Sequence, residues 1–126
     1  MIGYVMFGTN NVKESTTFYD SFFDKLGIIK VEIEKEYVGY AIKKQPKNVI
    51  FYITKPYNNK KASFGNGTMV AFQAISNNVV DDCHSTALRY GATNDGSPGM
   101  REGYGSTYYS YFRDLDNNKV CIYSKE

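Results

Sequence analysis

Two stretches of this chain run through the same succession of local patterns, and that repetition limits the fold more than any single motif does. Ile2–Gly8 is a short apolar run that reads as a strand. Polar residues Thr9 to Asn11 then offer caps for a helix from about Val12 to Leu26, on which Val12, Phe18, Tyr19, Phe22, Phe23 and Leu26 fall near one face. Gly27 stops it. Ile28–Glu36 alternates apolar and charged residues as a half-exposed strand does. Tyr37–Lys43 and Asn48–Thr54 follow, parted by a turn at Gln45-Pro46-Lys47. After a polar stretch, Tyr57–Asn66, the order returns. Thr68–Ile75 reads as a strand, Ser76-Asn77-Asn78 as a cap, Val79–Tyr90 as a helix and Gly91 as its stop. Two strands, Thr107–Arg113 and Lys119–Ser124, flank an Asx-rich turn at Asp114–Asn118. A sixth strand must come from Ala92–Glu102, beside a loop rich in Gly, Ser and Pro over Asn94–Ser106. The pattern is βαβββ twice, an α+β class, in modules of approximately 1–56 and 67–126.

Length and charge narrow the rest. With 126 residues there is room for one domain, 1–126, able to bury a core without disulfides. A net charge of +2 is too balanced to suggest nucleic acid as a partner. The lysines at 43, 44, 47, 55, 60 and 61 sit where solvated loop flanks are expected. No apolar run nears the roughly 20 residues of a membrane span, and the first residues lack a secretory pattern. Two cysteines, Cys83 and Cys121, do not make a disulfide framework, so a cytoplasmic home is expected. Tyrosine is abundant, at 12 residues with 8 Phe and no Trp, and suits half-wet walls that need an apolar face and a polar tip.

Three segments carry a family likeness. MIGYVMFGTNNVKESTTFYDSFFDKLG resembles the entry strand and first helix of the glyoxalase/bleomycin resistance/dioxygenase (vicinal oxygen chelate) superfamily. GNGTMVAFQAISNNVVDDCHSTALRYGA resembles its fifth strand and second helix, and YYSYFRDLDNNKVCIY its closing hairpin. The likeness spans nearly the whole chain in order. It implies two βαβββ modules forming a cupped mixed β-sheet with helices packed behind it, and a homodimer. The fold hosts lyases, isomerases, dioxygenases and binders, so it does not choose among functions.

In enzymes of that family His, Gln or Glu side chains on the concave face hold a divalent metal. The positions that the resemblance assigns to those ligands carry Tyr4, Tyr52, Met69 and Cys121 here. None is a carboxylate or imidazole, and a soft Cys–Met pair is too little for a copper(I) site. The expectation is that metal, cofactor and catalytic residues are all absent. The single histidine, His84, is expected on the surface or at a helix cap. Cys121 would be a nucleophile only if Lys119 lowered its pKa.

Taking those anchors with a strand period of two lists the concave face. Tyr4 and Met6 lie on it, as do Ile50 and Tyr52, with Val5, Phe7, Val49, Phe51 and Ile53 behind. Met69, Ala71 and Gln73 lie on it, with Val70 and Phe72 behind. Tyr109, Tyr111, Arg113, Lys119, Cys121 and Tyr123 complete it, with Val120 and Ile122 behind. Arg101 and Tyr104, in the loop Gly99–Gly105, are placed to gate its mouth or take an anionic group. A soft tyrosine-rich wall points to a metal-independent protein that binds and sequesters an aromatic or other small organic molecule. A glyoxalase-like lyase or isomerase, or another metal-dependent enzyme of the family, is the alternative. A non-catalytic interaction module whose cavity is filled by its own side chains is a second.

Overall fold

The computed structural model describes residues Met1–Glu126. The first module holds β1 (Val5–Gly8), α1 (Val12–Phe23), β2 (Ile28–Ile33), β3 (Tyr37–Ile42) and β4 (Val49–Thr54). The second repeats it with β5 (Met69–Gln73), α2 (Asn77–Arg89), β6 (Thr93–Met100), β7 (Tyr108–Arg113) and β8 (Lys119–Ser124). The sheets run β1-β4-β3-β2 and β5-β8-β7-β6, so the two modules match strand for strand. In each, the first strand pairs in parallel with the last and the others are antiparallel. Neither sheet closes on itself.

Local chemistry sets the helix ends. The Asn11 side chain accepts from the Glu14 amide at 3.0 Å, and Ser76 Oγ from the Val79 amide at 3.2 Å, each satisfying an otherwise free N–H. The expected helix to Leu26 is α-helical only to Phe23. Its last three residues tighten into a 3-10 turn that ends at Gly27, whose φ of 71° only glycine adopts freely. The second helix begins two residues earlier than expected because Ser76 alone is the cap. No helix is long and apolar enough to cross a membrane.

Three strand expectations need correction. Ile2 to Tyr4 stand outside β1, which starts at Val5. The segment expected as a loop over Asn94–Ser106 is strand β6 as far as Met100, with breaks in pairing between Asn94 and Gly96 and between Gly96 and Gly99. Ile50, placed on the concave face by strict alternation, packs against the core instead. The cause is a bulge: Tyr40 pairs with Phe51 and Ala41 with Val49, which leaves Ile50 unpaired and turns Val49 out of the core. Val49 and the Tyr52 ring both lie where a side chain at Gly39 would project.

One aromatic core serves both modules. Phe18, Tyr19, Phe22 and Phe23 of α1 are at most 1% exposed. They meet Phe51 of the first sheet and Phe72 and Phe112 of the second edge-on or tilted. A polar tie crosses the same seam. Tyr19 Oη donates to the buried Asp114 carboxylate at 2.6 Å, while Asn118 Nδ2 donates to both Asp114 and the Gly8 carbonyl. The amides of Asp116 and Asn118 also donate to Asp114. Burial raises the Asp114 carboxyl above the usual carboxylate value, although those hydrogen bonds pull it back. The Asx-rich turn thus anchors the hairpin to the opposite module.

Candidate functional site

The face of the second sheet that points away from the helices is built by register. Tyr109 pairs with Tyr123, Tyr111 with Cys121 and Arg113 with Lys119, and β5 adds Gln73, Ala71 and Met69 alongside. Successive same-face positions in β7 stack their rings: Tyr109 and Tyr111 are 6.0 Å apart and 9° from parallel. Tyr109 also stacks with Tyr123 at 6.1 Å, and Tyr104 meets it edge-on at 6.2 Å. Tyr123 Oη reaches Gln73 Oε1 at 3.4 Å.

Cations surround this tyrosine wall. The Arg101 guanidinium lies 5.3 Å from the Tyr111 ring centre and Lys119 Nζ 5.2 Å, both within cation–π range. Arg101 is held there by the carbonyls of Ser97, at 2.8 Å, and Gly99, at 2.9 Å. Asp95 pairs with Arg113 at 3.0 Å and Lys119 at 3.4 Å, so Arg101 is the cation on this face with no carboxylate partner. Beside Tyr111, on the neighbouring strand, Cys121 is 1% exposed. Burial pushes its thiol up to about 11, and the nearby Arg101 and Lys119 offset only part of that. A thiol raised in this way is a weak nucleophile without a base to take its proton.

The first sheet presents a smaller face of different character. Tyr52 meets Tyr4 edge-on at 5.1 Å and Tyr37 at 5.9 Å, and its hydroxyl donates to Glu32 Oε2 at 3.2 Å. Burial and that carboxylate raise the Tyr52 phenol. Tyr4 and Met6 are half exposed. No ring of this face pairs with a ring of the other. The rings thus form one cluster on each sheet, and Met6 and Lys119 line a small pocket between the two.

The four residues expected at the family's ligand positions, Tyr4, Tyr52, Met69 and Cys121, do not fit a divalent metal. Tyr4 and Tyr52 belong to one patch and Cys121 to the other, and Cys121 pairs with Ala71 rather than Met69. The donors are two phenols, a thioether and a thiol, and the Glu32 carboxylate beside Tyr52 is already engaged by its hydroxyl. No three His, Cys, Asp or Glu side chains converge anywhere in the chain. His84 is not on the surface as expected. It is 4% exposed, edge-on to Phe112 at 6.0 Å, and neither ring nitrogen has a hydrogen-bond partner.

Sequence reasoning placed Tyr4, Met6, Tyr52, Met69, Gln73, Tyr109, Tyr111, Cys121 and Tyr123 on one concave face, with Arg101 and Tyr104 at its mouth. It missed Glu32, Tyr37 and Asp95. Glu32 carried no usable signal in the alternation of β2, because a bulge between Lys30 and Glu32 puts them on opposite faces: Lys30 reaches Asp20 of α1, while Glu32 accepts from Tyr52. Asp95 carried none, since β6 breaks register beside it.

Solved structures place this geometry in context. A glyoxalase/bleomycin resistance protein from Albidiferax ferrireducens T118 matches with a TM-score of 0.87 and 33% identity, over 100% of this chain and 99% of that one. A glyoxalase-related enzyme from Fulvimarina pelagi matches with a TM-score of 0.78 and 14% identity, over 99% and 88%. A fosfomycin resistance protein from Mesorhizobium loti matches with a TM-score of 0.71 and 16% identity, over 100% and 92%. The last two share the fold alone. No family model and no curated protein matches the sequence.

Proposed function

The chain belongs to the glyoxalase/bleomycin resistance/dioxygenase family, and we propose that within it the chain binds and sequesters an aromatic organic ligand without a metal. The observation that carries this reading is the Tyr109–Tyr111–Tyr123 wall with Arg101 seated on it and unmatched by any acid. Ring faces in that arrangement offer a flat guest stacking surface, and Arg101 offers it one charge-assisted hydrogen bond. The donor chemistry at Tyr4, Tyr52, Met69 and Cys121 supports the metal-free half of the proposal.

A homodimer is part of the same reading. Each chain leaves two aromatic patches facing outward, and a second copy would supply the opposite wall of a closed cleft. The free thiols Cys83 and Cys121, both buried and unpaired, suit a reducing cytoplasm.

Tyrosine fluorescence titration with a panel of flat organic molecules tests the proposal, run with and without chelator. Saturable quenching that chelator leaves unchanged, and that Tyr111→Ala weakens by about tenfold, is the expected result. Stoichiometric bound metal, together with a catalytic activity lost to chelator, would overturn it. A second reading, an interaction module with a filled face, is favoured by one fact: the tyrosines already stack on one another. It predicts no response across the panel.

A further inference from the structure

A groove of about 540 Å³ opens where the ends of β1 and β4 meet the start of α1 and the β2–β3 turn. It shares no residue with either tyrosine patch. Lys13, Lys35, Lys55, Lys60 and Lys61 line it, with Glu36 the only acid. Five lysines against one glutamate give this groove +4, so the rest of a chain whose total is +2 carries −2. Lys55 pairs with Glu36 at 3.6 Å, while the other four lysines have no carboxylate partner. Like charges gathered in one concavity repel each other in the free protein and focus the field on any anion that enters.

The groove is also held in shape. The segment bearing Lys55, Lys60 and Lys61 turns back on itself through the Asn59 amide, which donates to the Pro56 carbonyl at 2.9 Å. It is tied to the end of β1 where the Ala62 amide donates to Asn10 Oδ1 at 2.7 Å. The Thr9 amide, donating to the Thr54 carbonyl at 2.9 Å, closes the floor. Asparagines fill the wall between the lysines, and no aromatic ring lines it. A guest here finds charge and hydrogen bonds but nothing to stack on.

We propose that this groove is a second binding site, specific for a compact multivalent oxyanion of the phosphate-chain class. The volume accommodates a small molecule, and the absence of rings means that the phosphate chain alone is read, whether it is free or the tail of a nucleotide. The flexible lysine stems let several ammonium groups converge on one anion, each as a point charge.

Calorimetric titration of the intact protein with sodium tripolyphosphate, at about 50 mM salt, is the direct test. One saturable site per chain is expected, weakening steeply as salt rises. The variant K13Q/K60Q/K61Q should lose about tenfold or more in affinity. The control K43Q/K44Q/K47Q removes the same charge from the β3–β4 turn and should stay within about twofold of wild type. All six lysines are exposed, so both variants should fold, and thermal unfolding checks that they do. ATP should bind no tighter than tripolyphosphate. Three results would each overturn the proposal: no saturable binding, equal losses in the two variants, or ATP far tighter than the bare phosphate chain.

Discussion

In the first module α1 turns Phe18, Tyr19, Phe22 and Phe23 inward, whereas in the second α2 turns Val80, Cys83, His84, Thr86 and Ala87 inward. The sheets they cover have the same strand order and the same pairing directions. The rings of α1 nevertheless reach Phe72 and Phe112 in the other sheet, because the small side chains of α2 leave room for them. A repeated topology therefore conceals an unequal division of the core. The outward faces differ as well: Tyr52 is bonded to an acid, Glu32, while Tyr111 lies under two cations. Equivalent frames carry opposite charge.

The sharpest way to break this comparison is to truncate one residue from each helix. Phe22→Ala empties a fully buried site touching rings of both modules and should cost about 4 kcal/mol. Val80→Ala, equally buried in α2, should cost about 2 kcal/mol. Urea unfolding measures both, and equal losses would show that the two helices share the core evenly.

The polar tie across the seam should come next. Asp114→Ala leaves the buried Tyr19 hydroxyl and the Asn118 amide without their acceptor, at a cost of about 3 kcal/mol. Asp95→Ala removes a partly exposed partner of Arg113 and Lys119 and should cost under about 1 kcal/mol. If the two variants unfold alike, the hairpin is not anchored through Asp114.

His84 sharpens the contrast in another currency, pH. Burial lowers its pKa below the ordinary 6.5. As pH falls through 6.5 the unfolded chain takes up the proton before the folded one does, so this group's stabilising share is complete above that pH and is lost below it. Asn94 on β6 and, less strongly, Asp81 on α2 favour the proton and offset part of that shift. The His84→Leu variant should keep its stability near neutral pH, since neither nitrogen loses a partner, and should lose stability less steeply below pH 6.5. Thermal unfolding between about pH 5 and 7.5 reads the difference. An unchanged slope would mean that the ring is solvated after all.

Much of the framework was legible in the chain. Apolar periodicity marked both helices and seven strands, and the family likeness supplied the order of the eighth. The faces of β5, β7 and β8 followed from a period of two because those strands pair without interruption. The same rule misplaced Ile50, where a bulge shifts the register by one, and left Asp95 unseen beside the breaks in β6. Bulges depend on the partner strand, so no local pattern reports them. His84 went astray for a related reason. Its neighbours Asp81, Asp82 and Ser85 are exposed, yet Phe112 of the other layer covers the ring.

By itself the sequence determined the two βαβββ modules, their caps and stops, and the soft or phenolic side chains at Tyr4, Tyr52, Met69 and Cys121. These are properties of residue type and spacing, and they need no third dimension. Tertiary structure alone decided that the tyrosine rings cluster separately on each sheet, that Cys121 is buried beside Tyr111, and that five scattered lysines share one groove. Each depends on which distant segments meet. Charge and burial are set by neighbours in space, and those neighbours lie tens of residues apart along the chain.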